Sequence, residues 1–226
     1  CLRVVNSSTY GLGSRIASVK RAVVTLGYQL TRRIVSVSAL TSRLGRPHGD
    51  LDFNLREYWR HSLSVAHGAQ LVAAASRKGN PDEHFTAGLL HAIGKLVEYQ
   101  HLRPQLRLIL AELRATGAPW IESERRHLGT TYAEIGACLC ERWRFPTLIV
   151  EAARRHLDPP ETLAAEGAPR EPLVVAGLVA LLKAPADRTL HAAWAGPLWI
   201  PEDRLPGLLE QAAGLAAGGV NELSAA

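Results

Sequence analysis

The sequence of 226 residues lacks methionine and contains only three cysteines. Three cysteines cannot build the disulfide framework of a small secreted domain, and so few of them suit a reducing compartment. Cys138 and Cys140 lie two residues apart in a helical pattern, so their side chains point in different directions and do not form half of a metal site. No stretch approaches the roughly 20 apolar residues of a membrane span, and no segment of the given sequence resembles a signal peptide. We therefore expect a cytoplasmic protein without membrane contact.

Acidic side chains are absent from residues 1–49, which carry eight basic ones, although the net charge of the whole chain is only +5. We interpret this segment as a solvated helical surface, because no aromatic residues are interleaved with the charges and no nucleic-acid-binding motif is present. Binding of nucleic acid or of an acidic partner domain is the alternative. The basic patch that would carry it comprises Arg15, Lys20, Arg21, Arg32 and Arg33.

Apolar residues recur with the period of an α-helix along most of the chain, and proline and glycine separate the segments. Residues 32–40 also fit a strand, because β-branched side chains alternate there. Helix starts are predicted at Asn54 with Glu57, at Asn80 (for a helix to about Tyr99), at Pro104, at Thr131 with Glu134, and at Pro146. A loop is predicted over 158–172, followed by a buried helix in PLVVAGLVALLKA and a last amphipathic helix in LPGLLEQAAGLAAG. We predict an all-α fold.

The segment GLLHAIGK, residues 88–95, is the strongest candidate for chemistry. On a helix it would place His91 on one face with Gly88, Gly94, Lys95 and Glu98, beside a stripe of buried leucine and isoleucine. Each glycine costs roughly 1 kcal/mol of helix propensity relative to alanine. Two of them beside a histidine therefore indicate close approach of either another helix or a ligand.

GLLHAIGKL is similar to the GLLHDIGKL segment of the HD superfamily of metal-dependent phosphohydrolases, and the wider pattern resembles its HDOD branch from bacterial signalling proteins. CLRVVNSSTYGLGSRIASVKRAVVTLG resembles the block that contains "LLRLVNSAYYG", and EYWRHSLSVAHGAQLVA resembles the branch's helix with a tryptophan and a histidine. ERRHLGTTYAEIGACLCERWRFP and EAARRHLDP resemble its two later blocks. The five blocks follow the family's order over residues 1 to about 185.

The resemblance implies an HD-like helical bundle at 51–185, with a smaller N-terminal helical lobe at 1–50 and a C-terminal helical extension at 186–226. Further helices usually precede the first of these blocks. We therefore expect that the lobe is truncated and that the sequence, which starts at Cys1 without an initiator methionine, was cut from a larger protein.

The resemblance also implies which residues would form a metal site. His61 matches the first ligand histidine, His91 the first half of the His-Asp doublet, and His156 the first histidine of a later pair. Alanine occupies the position of the doublet aspartate, at Ala92, and leucine that of the second histidine, at Leu157. Tyr132 stands where a histidine is usual. Because alanine cannot coordinate and a neutral tyrosine is a poor ligand, we expect no catalytic residue, no bound metal and no cofactor.

The function that follows is a non-catalytic signalling module that acts on other signalling domains or proteins. Its remaining pocket could receive a ligand such as an anionic nucleotide, since imidazoles and a lysine suit a phosphate. The alternative is a phosphohydrolase or phosphodiesterase with a reduced, histidine-based metal site. The pocket residues are His61, His91, Lys95, Tyr132 and His156. The other histidines are predicted to be surface or partly buried residues, and Glu124 to make a structural hydrogen bond.

Overall fold

The computed structural model describes residues 51–163 and 170–224, together with the single residue Val24, and over these ranges it contains helices and no strand. The prediction of an all-α fold is confirmed. The basic patch, the ambiguous residues 32–40 and, apart from Val24, the rest of the N-terminal lobe lie outside the described residues. The helices are α1 (Leu55–Ser76), α2 (Pro81–Leu90), α3 (Ile93–His101), α4 (Arg103–Thr116), α5 (Trp120–Leu128), α6 (Tyr132–Arg142), α7 (Thr147–Arg155), α8 (Pro160–Leu163), α9 (Arg170–Lys183), α10 (Arg188–Leu198) and α11 (Leu205–Ser224), with a 3₁₀ turn at Glu202–Arg204 before α11.

The predicted helix starts are present, and at Asn54, Asn80 and Thr131 a side chain satisfies a free N–H group of the first turn. The starts beside Pro104 and Pro146 have no side-chain cap. Thr131 and Glu134 form a complete capping box, in which each side chain accepts a hydrogen bond from the other's backbone N–H. Asn54 caps α1 by accepting from the N–H of Glu57 at 3.0 Å. The reciprocal half of that second box is missing, because the Glu57 carboxylate pairs with Arg60 instead.

The helices differ from the prediction in three respects. The helix that starts after Asn80 stops at Leu90, and Ala92 has non-helical φ and ψ of −106° and 21° before α3 begins. The predicted loop over 158–172 contains α8 and the first turn of α9. Helices α5 and α10 carry no strong start signal recognised in the sequence. A proline precedes α5, and Asp187 caps α10 by accepting hydrogen bonds from two backbone N–H groups.

Helix α1 runs through the centre of the bundle and packs against α2, α9 and α11. One core cluster joins α1, α2, α3, α6 and α7, and the other joins α1, α9 and α10. Helix α11 contributes Ala216 and Val220 to the first cluster and Leu209 to the second. The segment from 186 onward therefore packs on the HD-like helices. No helix among the described residues has both the length and the apolar character needed to cross a membrane.

The two glycines beside His91 allow backbones to approach closely. A Cβ atom added at Gly88 would lie 2.7 Å from the Cα of Ala66 in α1, and one added at Gly94 would lie 1.9 Å from the carbonyl oxygen of Tyr132. Both contacts are with the backbone of another helix. Helix packing therefore accounts for both glycines, and it fixes the position of the α2–α3 corner against α1 and α6.

Candidate functional site

Three of the predicted residues meet in a chain of imidazole rings, which we call the histidine cluster: His61 on α1, His91 at the α2–α3 corner and His156 at the end of α7. The ring centroids of His61 and His91 are 5.3 Å apart, and those of His91 and His156 are 4.9 Å apart. Tyr132, the first residue of α6, lies next in the chain, with its ring centroid 5.3 Å from that of His156. Residues separated by up to 95 positions are thus brought into contact.

Backbone carbonyls fix the tautomers of the two innermost rings. Nδ1 of His91 lies 2.6 Å from the carbonyl oxygen of Gly88, and Nδ1 of His156 lies 2.9 Å from that of Ala153. Since a carbonyl oxygen only accepts, both Nδ1 atoms carry the hydrogen, and the lone pair of each neutral ring is on Nε2. In His156 this lone pair accepts a hydrogen bond of 2.9 Å from the hydroxyl of Tyr132.

Burial keeps the histidine cluster neutral. Desolvation, together with the positive charge of Lys95, lowers the pKa of His61 to about 4 and that of His156 to about 3. The pKa of His91 is also well below its usual value, because the ring is buried and adjoins the other two imidazoles. Burial raises the pKa of Tyr132, so its hydroxyl remains protonated and acts as a donor.

These residues do not fit the divalent metal that the HD resemblance implies. The doublet position is occupied by the buried methyl group of Ala92, and position 157 by a leucine that is 37% exposed. The Nε2 lone pair of His156 is already used by Tyr132. Across the described ranges, no group of three or more histidine, cysteine, aspartate or glutamate side chains could hold a metal ion.

Lys95 supplies a positive charge beside the histidine cluster. Its Nζ lies 4.3 Å from the centre of the Trp120 ring and 4.4 Å from that of Tyr132, so the ammonium rests between two aromatic faces. Desolvation lowers the pKa of Lys95 to about 8, while the carboxyl groups of Glu98 and Glu124 oppose this shift.

Glu98 and Glu124 form a buried carboxyl pair next to Lys95. Burial and the neighbouring Glu124 raise the pKa of Glu98 to about 9, so Glu98 holds a proton beside the carboxylate of Glu124. Glu124 carries the negative charge, since its carboxylate accepts from the backbone N–H of Tyr132 at 3.0 Å and from the indole N–H of Trp120. The predicted structural hydrogen bond of Glu124 is therefore present. Trp120 was missed, although it stands four residues before Glu124, the spacing that places both side chains on one helical face.

A cavity of about 740 Å³ opens over this site. We refer to it below as the cavity. Its floor contains four of the five predicted pocket residues, His61, His91, Lys95 and Tyr132, whereas His156 does not line it. The cavity also has aromatic side chains from Phe53, Tyr58 and Trp120, apolar side chains from α9 and α11, and a charged rim that includes Asp52, Glu57, Arg60, Lys183 and Glu210.

Two other histidines depart from the prediction of surface or partly buried residues. His84 and His191 are buried, with 0% and 5% of their surface exposed. His127 has a carboxylate companion, since its Nε2 lies 2.9 Å from a carboxylate oxygen of Glu112 in α4. Sequence spacing could not show this contact, because the partner comes from a different helix.

Comparison with known proteins gives one family and one fold. A family model of the HDOD domain matches residues 1–159. An uncharacterised protein of Treponema pallidum (strain Nichols) is 27% identical over 158 residues, which cover 69% of this chain and only 30% of that relative. An HDOD domain protein of unknown function from Geobacter sulfurreducens has a TM-score of 0.80 at 24% identity, over 98% of this chain and 80% of its own.

Two further solved structures share the fold and have functional names. A candidate phosphohydrolase from Shewanella amazonensis SB2B has a TM-score of 0.72 at 25% identity, over 97% of this chain and 81% of its own. A candidate signal transduction protein from Marinobacter aquaeolei VT8 has a TM-score of 0.77 at 22% identity, over 99% of this chain and 51% of its own. The helical bundle described above is the fold of these proteins.

Proposed function

This chain belongs to the HDOD domain family, and we propose that it acts as a non-catalytic binding module in bacterial signal transduction. The observation that carries the proposal is the hydrogen bond from the Tyr132 hydroxyl to Nε2 of His156. A metal ion needs that lone pair, and it would have to break a buried hydrogen bond to reach it. The missing carboxylate at Ala92 removes the charge that would offset the cation.

The direct test measures metal and turnover together. The purified chain is loaded with manganese, iron or zinc, freed of excess metal, and analysed for bound metal. It is then assayed against nucleotides, cyclic dinucleotides and 4-nitrophenyl phosphate. We expect far less than one metal ion per chain and no turnover. One metal ion per chain, with hydrolysis that disappears in His91→Ala, would refute the proposal.

A second test restores the missing donors. The double variant Ala92→Asp, Tyr132→His replaces a methyl group by a carboxylate and frees the lone pair of His156. We expect added zinc or manganese to raise its melting temperature, since a ligand that binds only the folded state stabilises it by about 2.7 kcal/mol at 100 times its Kd. The matched control, Ala92→Asn with Tyr132→Phe, makes similar changes in size without a new anionic or imidazole ligand. An equal response of the control, or a response of the unmodified chain, would contradict the explanation.

The alternative function is a phosphohydrolase with a reduced metal site. One observation favours it: three imidazoles converge, and zinc can act with three histidines and a water molecule. It requires the Tyr132 hydroxyl to rotate away from His156. Removal of that hydroxyl in Tyr132→Phe should then increase any metal-dependent turnover, whereas the non-catalytic proposal expects none in either protein.

A further inference from the structure

We infer that the cavity binds an organic anion, with its charged group against Lys95 and its apolar body between α9 and α11. The inference rests on the proposed function, because it assigns to Lys95 the positive charge that a metal ion would otherwise bring to this site. The class of ligand is a phosphate or carboxylate attached to an aromatic or aliphatic body of small-molecule size.

The charged end follows from the surroundings of Lys95. Within the part of the chain that the structure describes, Lys95 forms no salt bridge, and its ammonium contacts the faces of Trp120 and Tyr132. Aromatic faces stabilise the charge but accept its N–H groups only weakly. An oxyanion in the cavity would accept them in charge-assisted hydrogen bonds, which are stronger than bonds between neutral groups.

The carboxyl pair does not substitute for such a ligand. Burial raises the pKa of both carboxyl groups, and with Glu98 protonated the pair carries one negative charge. That charge is on Glu124, where the N–H groups of Trp120 and Tyr132 already satisfy it. Neither glutamate lines the cavity, so the pair supports Lys95 from behind and leaves its open side to a ligand.

The apolar end follows from the apolar part of the lining. Val179 and Leu182 of α9 line the cavity, and so do Pro206, Leu209 and Ala213 of α11. At about 740 Å³ the cavity lies within the range of roughly 300–1,000 Å³ typical of small-molecule sites. Inorganic phosphate alone would leave most of this space and all of the apolar wall without contact.

The rim contributes less to selectivity, because most of its charges are already paired. Arg60 is bound to Glu57, and Asp52 is bound to Arg114 at 2.7 Å. Lys183 and Glu210 are exposed and have opposite signs. Exposed charges of this kind are screened by water and salt, so the half-buried Lys95 is the dominant anchor.

The experiment titrates the full chain with 1-naphthyl phosphate by calorimetry, and compares it with inorganic phosphate and with uncharged 1-naphthol. We expect saturable binding of 1-naphthyl phosphate, with at least about tenfold higher affinity than either part alone. Lys95→Met should weaken the binding about tenfold or more. The control is Lys78→Met, since Lys78 also lies over a tryptophan, 5.3 Å from the ring centre of Trp199, but does not line the cavity.

A second pair of variants tests the position of the ligand without removing a charge. Ala213 and Ala217 are both exposed on α11, and only Ala213 lines the cavity. Ala213→Trp should abolish the binding, whereas Ala217→Trp should leave it unchanged. The absence of saturable binding to the unmodified chain, or equal losses in both variants, would overturn the inference.

The same titration separates the two proposals. Release of fluorescent 1-naphthol from 1-naphthyl phosphate would show hydrolysis and overturn the non-catalytic function, while the assignment of the cavity would stand. Intact ligand with no binding would overturn the assignment of the cavity alone.

Discussion

The buried imidazole of His156 should make the protein lose stability in mild acid. Its folded-state pKa is lowered to about 3 by burial, whereas a histidine in the unfolded chain has a value near 6.5. The unfolded chain therefore binds the proton more tightly, and stability present above pH 6.5 is lost as the pH falls toward 3. Between pH 7 and pH 5 this one residue should lower the free energy of unfolding by about 2 kcal/mol. The reason is that each pH unit below the unfolded-state pKa of about 6.5 costs about 1.36 kcal/mol.

The assay compares urea denaturation of the unmodified chain and of His156→Gln at both pH values. Glutamine keeps an N–H donor and an oxygen acceptor but does not titrate. The unfolding free energy of the variant should fall by about 2 kcal/mol less between pH 7 and pH 5 than that of the unmodified chain. His101→Gln is the matched control, because His101 is exposed in the fold. The same pH dependence in His156→Gln as in the unmodified chain would refute the assignment of a buried, neutral imidazole at position 156.

Three further substitutions test the pKa of Glu98, the packing of α3 on α6 and the hydrogen bond between Tyr132 and His156. Glu98→Gln removes a carboxyl group whose pKa is raised to about 9 by burial and by Glu124. In the unmodified chain, the stability that this group contributes is complete below pH 4.5 and is lost as the pH rises through 9. Urea denaturation should show that the variant is more stable than the unmodified chain at pH 8 but not at pH 4.5. An equal gain at both pH values would contradict the raised pKa of Glu98. Gly94→Ala should destabilise by about 1–3 kcal/mol or more, because its Cβ would lie 1.9 Å from a backbone oxygen. Gly214→Ala, with open space in α11, should instead be neutral or stabilising by up to about 1 kcal/mol in thermal melts; similar effects of the two changes would argue against the close approach of α3 to α6. Tyr132→Phe should lower stability by about 1–3 kcal/mol at pH 7, since Nε2 of the buried His156 loses its partner; an unchanged unfolding free energy in urea would show that the hydroxyl is not needed there.

The sequence predicted the elements that depend on local chemistry. The caps at Asn54, Asn80 and Thr131 act within one helical turn, so the spacing of a few residues was sufficient to find them. The break at Ala92 was not predictable in this way, because leucine, alanine and isoleucine on either side all favour helix. That break depends on the packing of Gly88 on α1 and of Gly94 on α6, which are contacts between distant segments.

The same distinction applies to the site: residues within a recognisable motif could be predicted, whereas contacts from other helices could not. The family resemblance located His61, His91 and His156, and the structure places their rings in one cluster. The partner of Lys95 could not be found from sequence, because Trp120 reaches it from α5, a helix that the pattern did not predict. The sequence also could not show that His156 lies outside the cavity, because that depends on the Tyr132 ring.

Under the proposed function, Ala92 and Tyr132 oppose metal binding in two ways that reinforce each other. With alanine at 92, the positive charge of Lys95 is balanced only by the single negative charge of the Glu98–Glu124 pair. A divalent cation placed among neutral imidazoles would then meet an ammonium with no carboxylate between them, which is unfavourable in a desolvated site. Restoring the carboxylate alone, in Ala92→Asp, would correct this charge but leave the lone pair of His156 bound to Tyr132. Metal binding should therefore return only in the double variant, and a single variant that binds metal as tightly would show that the tyrosine does not block the site.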